Sequence, residues 1–381
     1  MKFLMIMEGF FPGKKYGGPP VSVDNFCTLM KEHECYIVCK NHDMGDSQIY
    51  KEIHPGWNKR DNSKIKYFSD DKYNMVEFER TIVEIKPDIL YLQGLFQNCI
   101  FPCLRLAKKY KIKVLLAPRG ELCAGAFQKK YKKVPYIMML QALGLSNNVH
   151  FQSTSEEETM ALRKWLHVSK NRIHYLTNIP SLPKKSFEHK KKEIGKVNII
   201  FLSRIHPKKN LIFALNCLKS IKGFVQFDIY GPLEDKEYWN RCEKIITELP
   251  LNVKARYCGL IDHDKVHETF AKYDLFFFPT FSENFGHVIA EALFVGCPVL
   301  ISDKTPFSDV DKYGAGHAIS LNNRICYINE LNNFILIDNH EMRNISDSAK
   351  KYIRNKLNIE NIKMSYENAI ADILFALKKE I

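Results

Sequence analysis

The stretch Phe281-Ser-Glu-Asn-Phe-Gly-His-Val-Ile-Ala-Glu291-Ala-Leu decides the fold of this chain. A short apolar run, residues 275–278, precedes it. An amphipathic segment that ends at Gly296-Cys-Pro298 follows, and then comes a second apolar run at 299–302. Short apolar runs predict buried strands, and Gly-x-Pro is a helix stop. The pattern therefore predicts strand, loop, helix and strand in that order.

The loop of this unit carries side chains suited to a nucleotide sugar. Gly286 stands at the predicted helix start, where free amides and the helix dipole favour an anion and where a residue without a side chain lets a phosphate approach. Glu283 and Glu291 are acceptor-only groups that suit sugar hydroxyls. Two glutamates at this spacing, taken alone, would more often be one loop residue and one solvated helix residue.

The whole run, with Asn284 and Phe285 after the first glutamate and Gly-x-Pro-Val at its end, resembles the signature of retaining glycosyltransferases of family 4 (glycosyl transferases group 1). The resemblance extends over nearly the whole chain. It implies an α/β protein of GT-B architecture, with two doubly wound Rossmann-like domains facing a central cleft. It also implies a donor site built from Asn284, Phe285, Gly286, His287 and Glu291, with Glu283 on the donor sugar.

Length and patterning predict two domains, because 381 residues exceed what one hydrophobic core usually supports. Apolar runs at 3–7, 35–39, 65–68, 89–92, 114–117 and 150–152 alternate with helical stretches. After a Pro- and Lys-rich segment the pattern restarts with runs at 197–202, 225–230, 253–258, 275–278 and 299–302. Alternation of this kind indicates parallel sheets with helices on both faces. We predict an acceptor-side domain at 1–178, a linker at 179–196, a nucleotide-sugar domain at 197–359 and a final helix at about 360–381 that packs back on the first domain.

Two strand-end loops complete the predicted donor site. Arg204 and Lys209 follow the first strand of the second domain, and a planar fork and a point charge five residues apart can reach a diphosphate from two sides. The run looks like the family's Arg…Lys diphosphate motif, and the resemblance makes Glu283, Arg204 and Lys209 the catalytic set. Lys208 can share the task, and Asn210 stands where the family more often has Gly.

The remaining predicted site residues rest on weaker patterns. Gly17 and Gly18 resemble the glycine-rich loop that faces the diphosphate in family 4, although Gly and Pro after a strand also simply make turns. Gly259 lies in the segment expected to hold the base. Arg119, Glu121 and Gln93 are predicted as acceptor-side groups. Arg119 and Gln93 depart from the family, which often has His near these places.

Charge and composition define the expected partners. The net charge is +13, and a basic stretch with aromatic and aliphatic neighbours, residues 129–140, suits an anionic membrane surface. A solvated basic face over a buried helix explains the same pattern. No nucleic-acid-binding motif is present in the sequence. The 11 scattered cysteines, an odd number, indicate a reducing compartment, and the start of the chain resembles a buried strand more than a signal peptide. We expect a cytoplasmic protein, peripheral to the inner face of the plasma membrane.

The sequence therefore predicts a glycosyltransferase. It would move a sugar from a UDP- or GDP-sugar to a hydroxyl of a glycan acceptor, lipid-linked, in bacterial surface polysaccharide synthesis. Two Asp-x-Asp triplets, 262–264 and 309–311, are common by chance in a chain with 43 acidic residues, so we expect no cofactor and no metal. Two alternatives stay open: a nucleotide-sugar 2-epimerase of the same architecture, and a non-catalytic nucleotide-sugar or lipid-binding protein.

Overall fold

The computed structural model describes residues 1–123, 127, 130–188 and 191–375. The chain divides into two compact units. Unit 1 contains Met1–Ile179 and the chain from Ile359 onward, and unit 2 contains Pro180–Asn358. Each unit is an α/β body with its own sheet and its own core.

Unit 1 is built on an eight-stranded sheet. Its strands are β1 (Lys2–Ile6), β2 (Glu34–Lys40), β3 (Trp57–Arg60), β4 (Ser63–Phe68), β5 (Ile89–Gln93), β6 (Lys113–Ala117), β7 (Val149–Ser153) and β8 (Ile173–Tyr175). Their order in the sheet is β3-β4-β2-β1-β5-β6-β7-β8, and every pairing is parallel except β3 with β4. The central strands are buried apolar runs, as expected of a parallel sheet covered on both faces.

The described part of unit 1 contains the helices α1 (Gly18–Leu29), α2 (Met75–Ile85), α3 (Ile100–Tyr110), α4 (Lys130–Ala142), α5 (Glu156–Leu166) and α12 (Ile359–Phe375). Side-chain caps fix two of the starts. Asn74 accepts from the amides of Val76 and Glu77 before α2, and Ser155 accepts from the Glu158 amide before α5.

The final helix, α12, packs within unit 1 through one buried tyrosine. The Tyr366 hydroxyl accepts from Gln152 Nε2 (3.0 Å) and donates to the Thr177 carbonyl (3.1 Å). Its ring lies 5.7 Å from that of Phe26 on α1. At the surface, Lys363 pairs with Glu32 at 3.0 Å. The helix thus covers the β7 and α1 side of the sheet that the first 179 residues build.

Unit 2 is a six-stranded, wholly parallel sheet. Its strands are β9 (Lys196–Leu202), β10 (Phe224–Tyr230), β11 (Val253–Tyr257), β12 (Leu275–Phe278), β13 (Val299–Ser302) and β14 (Gly316–Ile319), in the order β11-β10-β9-β12-β13-β14. Its helices are α6 (Leu211–Leu218), α7 (Lys236–Thr247), α8 (Val266–Phe270), α9 (His287–Phe294), α10 (Arg324–Leu336) and α11 (Asn339–Lys356). The order reverses at β9, so the loops after β9, β10 and β12 gather at one edge of the sheet, where such folds bind ligands.

The apolar runs found in the sequence coincide with strands, but three strands, β3, the three-residue β8 and β14, lie outside those runs. β3 is the polar segment Trp-Asn-Lys-Arg at the antiparallel edge of its sheet, and β14 begins at Gly316 with a φ of +136°. Between β11 and β12 the chain forms only a 3-10 turn, His263–Lys265, followed by the short α8. Edge strands and short turns bury too little to leave a periodic pattern.

Candidate functional site

The loop after β9 is held beside the loop after β10. The Ser203 amide donates to the Tyr230 carbonyl (3.1 Å), and the Ile205 amide donates to the Pro232 carbonyl (2.8 Å). Gly231 lies at this crossing, where an added Cβ would stand 1.8 Å from the Ser203 carbonyl oxygen. Only glycine permits so close an approach of two chain segments.

Arg204 leaves this loop and pairs with a carboxylate of the neighbouring loop. Its Nη1 lies 3.0 and 2.8 Å from the two carboxylate oxygens of Glu234. Both side chains are more than two-fifths exposed. The guanidinium is therefore positioned at the ligand edge of the sheet while it remains open to water.

Lys209 forms a shielded ion pair with Glu283. Its Nζ lies 2.5 Å from Glu283 Oε1, and each side chain is only 13% exposed. The pair joins the loop after β9 to the loop after β12, which are also tied by the Phe281 amide donating to the Lys208 carbonyl (3.0 Å). Lys208 itself is exposed. The structure thus brings Lys209 and Glu283 together and places Lys208 outside the pair.

Gly286 precedes α9 in the left-handed region, with a φ of +76° and a ψ of 55°. Its carbonyl accepts from the amides of Ile289 (2.9 Å) and Ala290 (3.2 Å), which starts the helix. The first amides of a helix have no acceptor within it and point toward the space before its start. The helix start, Lys209 and Glu283 all belong to the loops at the carboxyl edge of the sheet, so the loop geometry suits an anion.

Glu291 lies one turn into α9 and is buried, with 3% exposure. Burial raises the pKa of its carboxyl from the usual 4.5 to about 7, and a hydrogen bond from the Ser181 hydroxyl acts in the opposite direction. Ser181 is itself buried and lies 3.2 Å, Oγ to Nε2, from His263. A buried carboxyl in this position is a candidate acceptor for ligand hydroxyls.

The other predicted donor residues of unit 2 lie in the loops after β11 and β12 and at the start of α9. Gly259 has a φ of +79°, accepts at its carbonyl from the Gly231 amide (2.9 Å), and has open space where a Cβ would stand. Asn284 is exposed, and the Phe285 ring is buried 4.6 Å from the imidazole of His287. The loop 281–287 therefore exposes polar groups over an aromatic base.

Two residues of this site carry no sequence signal of their own. The Thr280 hydroxyl is fully buried and lies 3.1 Å from Glu283 Oε1 and 3.2 Å from the Lys208 carbonyl. Ser302 donates from its hydroxyl to the Thr280 carbonyl at 2.5 Å. Thr280 follows β12 by two residues and Ser302 is the last residue of β13, and position at the end of a parallel strand is the signal that could have found them.

The Asp-x-Asp triplets have structural partners. Asp262 pairs with Lys265, and Asp309 accepts from Tyr352 and Lys356. Asp311 accepts from the Ala318 amide at 2.8 Å. Among the described residues no group of three or more His, Cys, Asp or Glu is arranged to hold a metal ion.

In unit 1 the glycine-rich loop opens α1. Gly17 has a φ of +72° and no neighbour where a Cβ would stand, and Gly18 is the first residue of the helix, followed by two prolines. Pro is well placed in a first helical turn because the missing amide would have no partner there. The loop thus presents backbone without side-chain cover.

Arg119 and Gln93 are tied to each other inside unit 1. Arg119 Nε donates to Gln93 Oε1 at 2.8 Å, Nη2 lies 3.3 Å from the Tyr91 hydroxyl, and Nη1 donates to the Asn178 side chain. Gln93 is buried at the end of β5 with its Nε2 unpaired. The Arg119 guanidinium, predicted to face an acceptor, is therefore hydrogen-bonded to side chains at the strand ends, while the Nε2 amide group of Gln93 has no hydrogen-bond partner among the described residues.

The Glu121 side chain also hydrogen-bonds within unit 1, to backbone amides. Its Oε2 accepts from the amides of Leu95 (2.5 Å) and Phe96 (3.1 Å), and Lys133 donates to its carbonyl at 3.4 Å. Burial raises the pKa of its carboxyl, which these hydrogen bonds oppose. The side chain fixes the loop after β5.

The basic stretch 129–140 forms most of α4, with Lys129 outside the described residues. Tyr131 and Met138 are 71% and 61% exposed, and Leu143, directly after the helix, is 49% exposed. Lys130 and Lys132 are exposed beside them. Within the described part of the chain, every helix falls short of the length or apolar character needed to cross a bilayer. The surface is apolar and cationic at once.

The chain is similar to known proteins in its sequence and over its whole fold. Sucrose-phosphate synthase from Thermosynechococcus elongatus superposes with a TM-score of 0.70, at 14% identity, over 98% of this chain and 99% of that one. HepE of Anabaena, solved with UDP and glucose, superposes with a TM-score of 0.69, at 14% identity, over 97% and 99%. These likenesses show the fold, which is GT-B with two Rossmann-like units.

A curated relative shares sequence over part of its length. An uncharacterized 41.2 kDa protein in the cps region of Klebsiella pneumoniae is 26% identical over 245 residues, which is 61% of this chain and 64% of that protein. The model of the family described as glycosyl transferases group 1 matches residues 183–352. That segment holds the Arg204, Lys209, Glu283 and Glu291 loops. The match to the glycosyl transferases group 1 family therefore covers the candidate donor loops of unit 2.

Proposed function

We propose that this chain is a retaining glycosyltransferase of family 4. It transfers a sugar from a UDP- or GDP-sugar to a hydroxyl of a glycan acceptor. The observation that carries the proposal is the shielded Lys209–Glu283 pair in the loops beside the Gly286 helix start. One cation, one carboxylate and a helix start at a single sheet edge match a diphosphate joined to a sugar.

Each group of the donor has a proposed partner in unit 2. Arg204, Lys209 and the amides after Gly286 bind the diphosphate. Glu291 accepts from ribose hydroxyls, and Glu283 accepts from donor-sugar hydroxyls. Gly259 leaves room for the base. The neighbouring HepE structure, which holds UDP and glucose, supports a nucleotide-sugar donor on this fold.

The transfer step needs stabilisation of the leaving diphosphate. As the bond from the sugar carbon to the phosphate oxygen breaks, negative charge builds on that oxygen, and cations already in place lower the barrier. Retention then follows from attack by the acceptor hydroxyl on the face from which the phosphate departs. The departing phosphate oxygen takes the proton of that hydroxyl. Because Arg204 and Lys209 supply the positive charge, we propose that no metal ion is required.

Calorimetric titration of the full chain with UDP, GDP, ADP and CMP, each with and without EDTA, tests the donor assignment. We expect one diphosphate to bind equally well in both conditions. Glu291→Ala should weaken that binding, whereas Glu283→Ala should mainly reduce turnover. Glu243→Ala on the exposed face of α7 is the charge-matched control and should change neither. Reversed effects at the two site glutamates would exchange their roles, and loss of binding on chelation would contradict metal independence.

The acceptor is proposed as a lipid-linked glycan of a bacterial surface polysaccharide. The relative encoded in a cps region of Klebsiella pneumoniae supports this setting. So does the α4 surface, where exposed Tyr131 and Met138 lie beside Lys130 and Lys132. No acidic residue occurs between positions 130 and 142. Apolar side chains flanked by cations suit the headgroup region of an anionic membrane.

Sedimentation with lipid vesicles tests the membrane part of the proposal. The protein should bind vesicles that contain phosphatidylglycerol and not vesicles of phosphatidylcholine alone. The double variant Lys130→Glu/Lys132→Glu should lose that binding. The double variant Lys351→Glu/Arg354→Glu makes the same charge change on exposed positions of α11 and should retain it. Equal loss in both variants would indicate only a net-charge effect.

An activity assay without any acceptor tests the alternative function. Interconversion of a UDP-sugar in that assay would identify an epimerase.

A further inference from the structure

Residues 178–181, where the chain passes from unit 1 to unit 2, are buried and fastened on each side. In unit 1, Asn25 donates from Nδ2 to the Ile179 carbonyl at 2.9 Å, and Asn178 accepts from Arg119. In unit 2, Ser181 is 6% exposed. The predicted linker therefore contains a residue with a fixed side-chain position rather than a solvated spacer at this point.

Ser181 has partners from three elements of unit 2. Its hydroxyl hydrogen-bonds to the Glu291 carboxyl on α9. Its Oγ lies 3.2 Å from His263 Nε2 in the 3-10 turn before α8. Its backbone hydrogen-bonds to His267 on α8. Two histidines thus hold the serine, and the serine contacts the carboxyl.

The donor and acceptor capacity of a hydroxyl determines which group donates in each of these hydrogen bonds. A serine hydroxyl has one proton to donate and lone pairs that accept. When the Ser181 hydroxyl donates a hydrogen bond to the Glu291 carboxylate, its oxygen can still accept a hydrogen bond from the N–H of His263. The hydrogen bond to the carboxyl then favours the ionised form, because only the ionised form accepts on both oxygens.

We propose that Ser181 is a positioning residue for Glu291, held in place by His263, and that its hydroxyl keeps the carboxylate ionised and oriented to accept the hydroxyls of the donor ribose. This inference rests on the proposed function, in which Glu291 contacts the ribose. Ser181 does not touch the donor in this arrangement. It acts through the carboxylate.

Burial and the Ser181 hydrogen bond have opposite effects on the pKa of Glu291. Burial raises the pKa of Glu291 to about 7, and the Ser181 hydrogen bond lowers it. Titratable groups near α9 include His263 and His267 before and on α8, His287 one turn earlier on α9, and Lys350 of α11, whose side chain lies against Gly296. A neutral carboxyl has lost acceptor capacity, so donor binding should strengthen as the pH rises through the Glu291 pKa.

Binding of UDP, or of GDP if that is the diphosphate that binds, to a set of full-length variants tests the inference. Ser181→Ala should weaken binding about 10-fold, as expected for a hydrogen bond to a charged group. It should also move the pH midpoint of binding upward. His263→Ala should have a smaller effect in the same direction. Ser186→Ala, an exposed serine of the same segment, is the control and should leave binding unchanged.

Two further measurements separate a positioning role from a structural one. An analogue that lacks both ribose hydroxyls should bind wild type and Ser181→Ala equally. In a Glu291→Gln background the Ser181→Ala change should have no further effect, because the two residues act as one unit. A loss that persists with the analogue or in that background would overturn the inference.

The outcomes also distinguish this inference from the proposed function. If wild type binds no nucleoside diphosphate, the donor site itself is wrong. If wild type binds and Glu291→Gln weakens binding while Ser181→Ala does not, the donor site stands and the role of Ser181 is wrong.

Discussion

Arg204 and Lys209 carry the same charge but hold it in different ways. The Arg204–Glu234 pair is more than two-fifths exposed on both sides, whereas each partner of the Lys209–Glu283 pair is 13% exposed. Exposed pairs contribute about 0–1 kcal/mol, and removal of one partner of a shielded pair leaves an uncompensated charge. Arg204 can therefore leave its partner for a ligand at little cost, and Lys209 is part of the site's framework.

Glu234 is expected to compete with the donor for Arg204. Glu234→Gln should lower the dissociation constant of the diphosphate about 3-fold, because a weak exposed pair no longer has to break. Titration calorimetry at low salt measures the change. Glu237→Gln removes the same charge from an exposed position in the first turn of α7 and is the matched control. An equal gain in both variants would mean that only the general field had changed.

Lys209 and Lys208 are adjacent in sequence but differ in environment. Lys209→Ala should reduce kcat about 100-fold, the usual loss when one group that stabilises developing charge is removed. Lys208→Ala should reduce it less than about 3-fold, since that side chain is exposed and outside the pair. Steady-state kinetics with the identified donor gives both values. Comparable losses at the two positions would show that the charge is shared.

At the scale of elements, one lysine of the predicted linker holds a helix end. Lys192 is 4% exposed, and its Nζ donates to the carbonyls of Glu193 (2.8 Å), Ile335 (3.4 Å) and Lys196. Burial lowers the pKa of its ammonium. Ile335 belongs to the last turn of α10, where carbonyls lack amide donors within the helix. The side chain therefore caps α10 and joins it to the start of β9.

Removal of that ammonium should destabilise unit 2. Lys192→Met keeps the aliphatic stem and should lower the free energy of unfolding by about 2 kcal/mol, because buried carbonyls lose a charged donor. Lys191→Met changes an exposed neighbour and should stay within about 0.5 kcal/mol. Urea unfolding followed by circular dichroism measures both. An unchanged Lys192→Met midpoint would show that solvent replaces the ammonium.

Strands β7 and β8 are joined by a histidine pair that is sensitive to acid. His150 Nδ1 lies 2.9 Å from His174 Nε2, and burial lowers the pKa of both imidazoles, that of His150 to about 4. Between pH 6.5, the pKa of His150 in the unfolded chain, and about pH 4, its pKa in the folded protein, the unfolded chain binds a proton at His150 and the folded protein does not. Stability is therefore present above pH 6.5 and is lost as the pH falls.

The expected loss is about 2–3 kcal/mol between pH 6.5 and pH 4, from the size of the shift. His150→Gln should make the unfolding free energy less dependent on pH in this window. His340→Gln, an exposed position at the start of α11, should leave the dependence unchanged. Urea unfolding at several pH values, followed by tryptophan fluorescence, tests this. Parallel pH curves for wild type and His150→Gln would contradict it.

The sequence predicts what depends on local pattern and misses what depends on contacts between distant segments. The buried runs that became strands, and the loop with Glu283, Gly286 and Glu291, are visible because each is a continuous segment with its own periodicity. The Glu234 partner of Arg204 lies 30 residues away, and the carbonyl of Ile335 that Lys192 binds lies 143 residues away. Such partners follow from strand order, which no single segment encodes.

At the scale of the whole molecule, the proposed donor site can be tested within unit 2 alone, because that unit has its own sheet and core. All residues proposed to hold the nucleotide in unit 2 belong to three loops, around 203–210, 258–260 and 281–286, and to the first half of α9. A ligand at a hundred times its dissociation constant stabilises the state that binds it by about 2.7 kcal/mol. Amides that exchange by local opening of these loops should therefore slow by about 100-fold.

Hydrogen exchange of the full chain with and without saturating UDP or GDP is the measurement. We expect protection in the three loops and in the first turn of α9, whose amides would bind the diphosphate. The edge strand β3 and the α2 surface, far in sequence from these loops, serve as internal references and should not change. The same pattern is expected in EDTA, since Arg204 and Lys209 supply the charge. Protection confined to residues 1–179 would move the donor site to unit 1 and leave the Lys209–Glu283 pair as a structural tie.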